Sequence, residues 1–138
     1  MLRALRNPRV TILAHPTGRL IGRREPSALD IQRVVREARD LGVLLELNAH
    51  PERLDLNDVY VRMARDAGAM LVVSTDAHRA SELASMRYGV DQARRGWCTA
   101  RDVANTRPLR QLRRVLRART PPREPSKSLV HHGHAQRP

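Results

Sequence analysis

The sequence predicts an α/β domain built on a parallel sheet, and three observations predict it. Val10–Ala14, Val43–Leu47 and Met70–Ser74 are short runs rich in Val, Leu and Ile, which read as buried strands. Amphipathic helical patterns lie between and after them. The resulting order, strand–helix repeated three times, implies parallel strands joined by right-handed crossovers. The chain's 138 residues suit one small domain.

The elements follow in order. After the first strand, Ile31, Val34, Val35, Ala38 and Leu41 form one apolar stripe. Ser27 with Asp30 reads as a capping box before it, and Gly42 as its stop. Leu56, Val59, Met63 and Ala67 make a second stripe, stopped by Gly68. A third helix spans Ser81–Arg95 and carries Leu83, Met86 and Val90. Thr99 with Asp102 reads as the cap of a short fourth helix. Leu109, Leu112, Val115 and Leu116 give a last one, with arginines on its other faces. Beyond it, Pro, Arg, Ser and His dominate. The chain therefore divides into a domain over residues 1–118 and a basic, disordered tail over 119–138.

Composition narrows the class. The chain has one Trp, two Tyr and no Phe, so its core must come from Leu, Val, Ile, Met and Ala. Its single cysteine, Cys98, forms no intrachain disulfide and reads as a small buried apolar residue. No apolar run approaches the ~20 residues that span a bilayer. The start does not have the form of a signal peptide, so the expected location is cytoplasmic. The net charge of +12 is uneven: residues 101–138 hold 10 Arg and Lys against 2 acidic residues. Such a region attracts phosphate backbones without reading sequence, or serves only as a solvated tail.

Each predicted strand ends in residues capable of metal or phosphate chemistry, where sites of parallel α/β folds form. The first leads into His15, Pro16, Thr17, Gly18 and Arg19. The second carries Glu46 and Asn48 and leads into His50 and Arg53. The third leads into Asp76-Ala77-His78. In extended chain, positions i and i+2 face the same side, so Asp76 and His78 would converge on a divalent cation. The competing reading makes Asp76 a strand-end cap and His15 a satisfied core histidine. Arg19, Arg23 and Arg24, beside Gly18 and Gly22, suit phosphate oxygens or ion pairs to Glu25 and Asp30. Glu46, inside an apolar strand, is either buried and paired or faces a site. His131, His132 and His134 are metal-like by composition only.

The segments ILAHPTGRLIGRREP, LELNAHPERLDLND, VVSTDAH and MRYGVDQARRGW, in this order, resemble the C-terminal part of the PHP (polymerase and histidinol phosphatase) domain of bacterial family X DNA polymerases. The resemblance runs from about Leu2 to about Arg117. It implies part of a distorted β/α barrel, of which about three strand–helix units are present. It implies a divalent-metal cluster at the strand ends, Mn²⁺ first and Zn²⁺ or Fe²⁺ in relatives. It implies phosphodiester hydrolysis as a 3′–5′ exonuclease that processes 3′ ends of single-stranded or gapped DNA in repair. By motif position His15, Asp76 and His78 match metal ligands, Glu46 and His50 do not, and Arg19 and Arg53 match phosphate contacts. The family's remaining ligands lie on earlier strands. The expectation is therefore a phosphoesterase segment incomplete as an enzyme by itself, either a fragment of a longer protein or a piece completed by a separately encoded remainder of the domain. The alternative is a non-enzymatic module that binds DNA or a partner through its arginine-rich C-terminal region.

Overall fold

The computed structural model describes residues 1–117. The boundary drawn after residue 118, the basic tail and its histidines lie outside the described residues. Three parallel strands form one sheet in the order β1 (Ile12–Leu13), β2 (Leu44–Asn48), β3 (Leu71–Ser74). Ile12 pairs with Leu44 and Leu13 with Leu45; Leu45 to Asn48 pair with Leu71 to Ser74. A short helix, α1 (Leu2–Leu5), precedes β1, and its Leu5 is fully buried. Helix α2 (Ile31–Leu41) joins β1 to β2, and α3 (Asp58–Asp66) joins β2 to β3. A 3₁₀ turn (Ala80–Ser85) leads into α4 (Met86–Arg95), a second 3₁₀ turn spans Ala104–Thr106, and α5 covers Leu109–Arg117. The α/β class with three parallel strands is as expected. None of the described helices is long and apolar enough to cross a membrane.

The first stripe is core: Ile31, Val34, Val35 and Ala38 are all buried. Gly42 ends α2 at φ 65°, a left-handed position that favours glycine. The expected capping box is not formed. Asp30 is itself the cap, accepting from Arg33 N at 2.9 Å. Ser27 is held three residues earlier, its N–H donating to Thr17 O at 2.9 Å, so it cannot reach the helix start. Asn57 caps α3 by accepting from Tyr60 N at 2.9 Å. Thr99 and Asp102 do join, at 2.7 and 2.9 Å, but they close a turn and no helix starts there.

The third helix differs most from expectation. Leu83, Met86 and Val90 are exposed, and α4 instead buries Gly89, Gln92 and Ala93. Small residues win because the helix lies close against the sheet. A Cβ on Gly89 would sit 2.5 Å from Val73 Cγ1 and 2.8 Å from the Ala49 Cβ. Gly89→Ala is therefore expected to cost about 1–3 kcal/mol through overpacking, read as a lower urea midpoint. An unchanged midpoint would refute the close approach.

Beyond β3, residues 102–105 cover its outer edge. Leu71 N donates to Asp102 O at 2.9 Å. The Asn105 amide both accepts from Val73 N at 3.1 Å and donates to Val73 O at 2.8 Å. A side chain thus stands in for a strand and shields that edge from further pairing.

Candidate functional site

Side chains alternate along a strand, so Leu45 and Leu47 share one face of β2 while Glu46 and Asn48 share the other. Leu45 and Leu47 are fully buried in the apolar core. Glu46, only 8% exposed, ties together the ends of all three strands. Its Oε2 accepts from His15 N at 2.5 Å, just after β1, and its Oε1 accepts from Ser74 Oγ at 2.5 Å on β3. Glu46 is thus buried and hydrogen-bonded to both neighbouring strand ends. Next along the strand, the fully buried Asn48 donates through Nδ2 to Asp76 Oδ2 at 3.1 Å. It also accepts from His50 N at 3.0 Å, shaping the loop that follows β2.

Two loops interlock beside these strand ends. Asp55 has no exposed surface, and its Oδ2 accepts from Thr17 N at 3.0 Å and Gly18 N at 2.8 Å. Its own backbone pairs with Asn48. In the opposite direction, Arg19 Nε donates to Arg53 O at 2.6 Å, and its Nη2 donates to Leu54 O. A carboxylate from the second loop holds the first, and a guanidinium from the first holds the second. Arg24 adds a bond to Gly18 O at 2.8 Å, and Arg23 pairs with Glu52 at 3.5 Å.

Three residues here adopt left-handed backbone without being glycine: His15 (φ 29°), Leu54 (φ 42°) and Asp76 (φ 54°). Asp and His tolerate this region better than most residues, but each such position is held by its surroundings. The hydrogen bonds of Glu46 to His15 and of Asn48 to Asp76 are those surroundings. Asp76 Oδ2 also faces Arg53 Nε at 3.4 Å. The Nη1 of Arg53 is buried with no hydrogen-bond partner.

The sequence-predicted residues are therefore placed as follows. His15, Asp76 and Arg53 lie at one end of the sheet and are linked through Glu46 and Asn48. Asp76 and His78 do not share an extended segment, because β3 ends at Ser74 and Asp76 turns left-handed. The i, i+2 argument needs extended chain and does not apply there. His78 is exposed, and its N–H donates to Glu82 Oε2 at 2.7 Å. That bond is the main cause holding the Glu82 carboxyl below its usual range. Among the described residues, no three His, Cys, Asp or Glu side chains are grouped to hold a metal ion. The cationic group beside Asp76 is Arg53, so the described residues as arranged do not by themselves fit a metal centre. Arg19 spends two donors on backbone carbonyls and acts as a clamp. Cys98 is half-buried, and burial, with Asp102 second, pushes its thiol up to about 11.

Asp55 was not singled out from the sequence. Its signal was present: a lone acid between Leu54 and Leu56, resembling Glu46 between Leu45 and Leu47. A carboxylate set within an apolar run is expensive to bury without partners, so such a residue points to a hydrogen-bonded network.

No family model matches the chain. Over 114 residues it is 45% identical to the DNA polymerase/3′-5′ exonuclease PolX of Bacillus subtilis (strain 168). Over that stretch the chain is homologous to part of a family X DNA polymerase. The stretch makes up 83% of this chain and 20% of the PolX relative. The resemblance read from the motifs is thus borne out by overall identity.

Proposed function

We propose that this chain forms the C-terminal part of a PHP-type metal-dependent phosphoesterase domain of a family X DNA polymerase, acting on DNA 3′ ends in repair. The observation that carries the reading is the strand-end rim, where the Arg53 guanidinium, with Nε 3.4 Å from Asp76 Oδ2, keeps an Nη1 donor without a hydrogen-bond partner. An unsatisfied guanidinium donor suits a phosphate oxygen. Homology to a protein named a polymerase and exonuclease supplies the reaction class. In this reading His15, Asp76 and His78 would supply donors for Mn²⁺, or Zn²⁺ or Fe²⁺, only in the completed domain, since as arranged they are not grouped. The further ligands come from outside the described residues, in the same protein or in a separately encoded remainder of the domain. The barrel, too, is completed there, and the setting is the cytoplasm. Arg53 binds substrate phosphate, and Arg19 serves it by fixing the successive carbonyls of Arg53 and Leu54.

A second reading is favoured by α5, whose Arg110, Arg113 and Arg114 are exposed. A module binding DNA through this basic helix would show steep salt dependence and no metal requirement.

The test compares the purified chain with its Asp76→Ala/His78→Ala variant for bound metal and Mn²⁺-dependent 3′–5′ cleavage of a single-stranded oligonucleotide. The chain alone is expected to hold no stoichiometric metal and to release no nucleotides. Added polypeptide carrying the rest of a PolX PHP domain should bring both, and the double substitution should abolish both. Cleavage that survives the substitution would overturn the reading.

A further inference from the structure

At the C-terminal end of α4, the chain's single tryptophan has an unusual setting. Trp97 follows the last residue of α4 and its cap, Gly96. The helix is closed by Trp97 N donating to Arg94 O at 2.8 Å and Cys98 N donating to Ala93 O at 2.9 Å. Trp97 occupies the left-handed position of this closure, with φ 62°, where glycine is the usual residue. Despite that backbone, its side chain is not core: the residue is 60% exposed. Its ring lies on the Arg62 guanidinium, with Cζ 3.5 Å from the ring centroid. The stack depends on the tight crossing of α4 over α3. A Cβ on Gly96 would lie 2.3 Å from Val61 Cγ1 and 3.2 Å from Arg62 N.

We propose that Trp97 is a stacking platform for a base of single-stranded nucleic acid, with Arg62 backing the ring and Arg94 and Arg95 beside it meeting phosphates. One ring face rests on a cation, and the exposed remainder of the indole offers a flat π surface to a base. Charge selects this occupant. Among the described residues, Arg62, Arg94 and Arg95 pair with exposed or half-exposed aspartates, Asp66 at 3.4 Å, Asp91 at 3.4 Å and Asp58 at 2.9 Å. Exposed pairs of this kind are weak and exchange readily for phosphate oxygens. Of the chain's +12, residues 101–138 supply +8 and residues 1–100 supply +4, so the field around this patch is positive but set mainly by the C-terminal arginines, and it favours a polyanion. This platform is independent of the metal reading, because none of His15, Asp76 or His78 takes part.

The experiment uses the full chain in EDTA, which separates it from any metal-dependent binding. Because Trp97 is the only tryptophan, its fluorescence reports the contact directly. A 12-nucleotide oligo(dT) should quench it saturably. By anisotropy of the fluorescein-labelled oligonucleotide, Trp97→Gly should bind at least about tenfold more weakly. Trp97→Phe should retain most of the affinity. An abasic oligomer of equal length should bind the parent chain and Trp97→Gly alike, through charge alone. Trp97→Gly suits the left-handed backbone, so its melting temperature should be unchanged or higher, and lost binding would not reflect unfolding. Binding by Trp97→Gly within about twofold of the parent, or binding without quenching, would assign the attraction to the arginines and overturn the proposal. No binding by the parent chain would also overturn it, leaving a protein surface as the occupant.

Discussion

Asp55→Ala should destabilise the fold by about 3 kcal/mol, the larger of the effects expected at the strand-end rim. Asp55 is completely buried and accepts from two backbone N–H groups, those of Thr17 and Gly18. Removing the carboxylate leaves the buried Thr17 donor without an acceptor, at about 1–3 kcal/mol, and the part-buried Gly18 donor at less than that. It also empties the volume the side chain filled. Asp55→Asn keeps one acceptor oxygen but turns an amide N–H₂ toward N–H donors, so it should fall between the parent and alanine. Urea unfolding followed by circular dichroism measures all three, with the m value checking that the unfolded state is unchanged. A loss under about 1 kcal/mol for Asp55→Ala would mean that the loop is held by other contacts. The same substitution should loosen the Arg19 clamp, because both bonds of that guanidinium reach residues immediately before Asp55.

Glu46→Ala should cost about 2 kcal/mol or more, whereas Glu46→Gln should stay within about 1 kcal/mol of the parent. The two differ because of what Glu46 meets. Its partners are a backbone N–H on His15 and a hydroxyl on Ser74. A glutamine oxygen can still accept from His15, while its amide donates to Ser74 Oγ, which can act as acceptor. Alanine satisfies neither and releases His15 from its left-handed backbone. The His15 imidazole resonances in NMR should therefore shift in the alanine variant and stay near their parent positions with glutamine. Equal damage from glutamine and alanine would show that the negative charge itself is required, and Glu46 would then need a cationic partner.

The parallel sheet, its three strands and the run of helices were legible because their signals are local. Val, Leu and Ile runs mark the strands, although only β2 is buried throughout and the two-residue β1 leaves Ile12 exposed, and the spacing of Ile31, Val34, Val35 and Ala38 marks one helix face. Helix α4 was misread for the opposite reason. Its apolar residues Leu83, Met86 and Val90 follow the helical period but stay exposed, while Gly89 and Ala93 make the contact. Hydropathy rewards large apolar groups, whereas a close helix–sheet approach rewards the absence of a side chain. The site was legible as a set of polar strand ends, and His15, Asp76 and Arg53 do lie there. The convergence of Asp76 with His78 was inferred from extended geometry, which the left-handed turn at Asp76 removes.

What the sequence determined by itself, then, is the class of the fold, the order of its elements, and the kinship with family X polymerases. These rest on residue patterns within a few turns of chain and on identity along it. Only the tertiary structure decided who partners whom. It made Glu46 the link between three strands, Asp55 the holder of a loop 37 residues away, and Trp97 an exposed ring on Arg62. A buried carboxylate must find its donors, and a stacked ring its cation, wherever the folded chain happens to bring them. That placement is set by packing between distant segments, which no local pattern encodes.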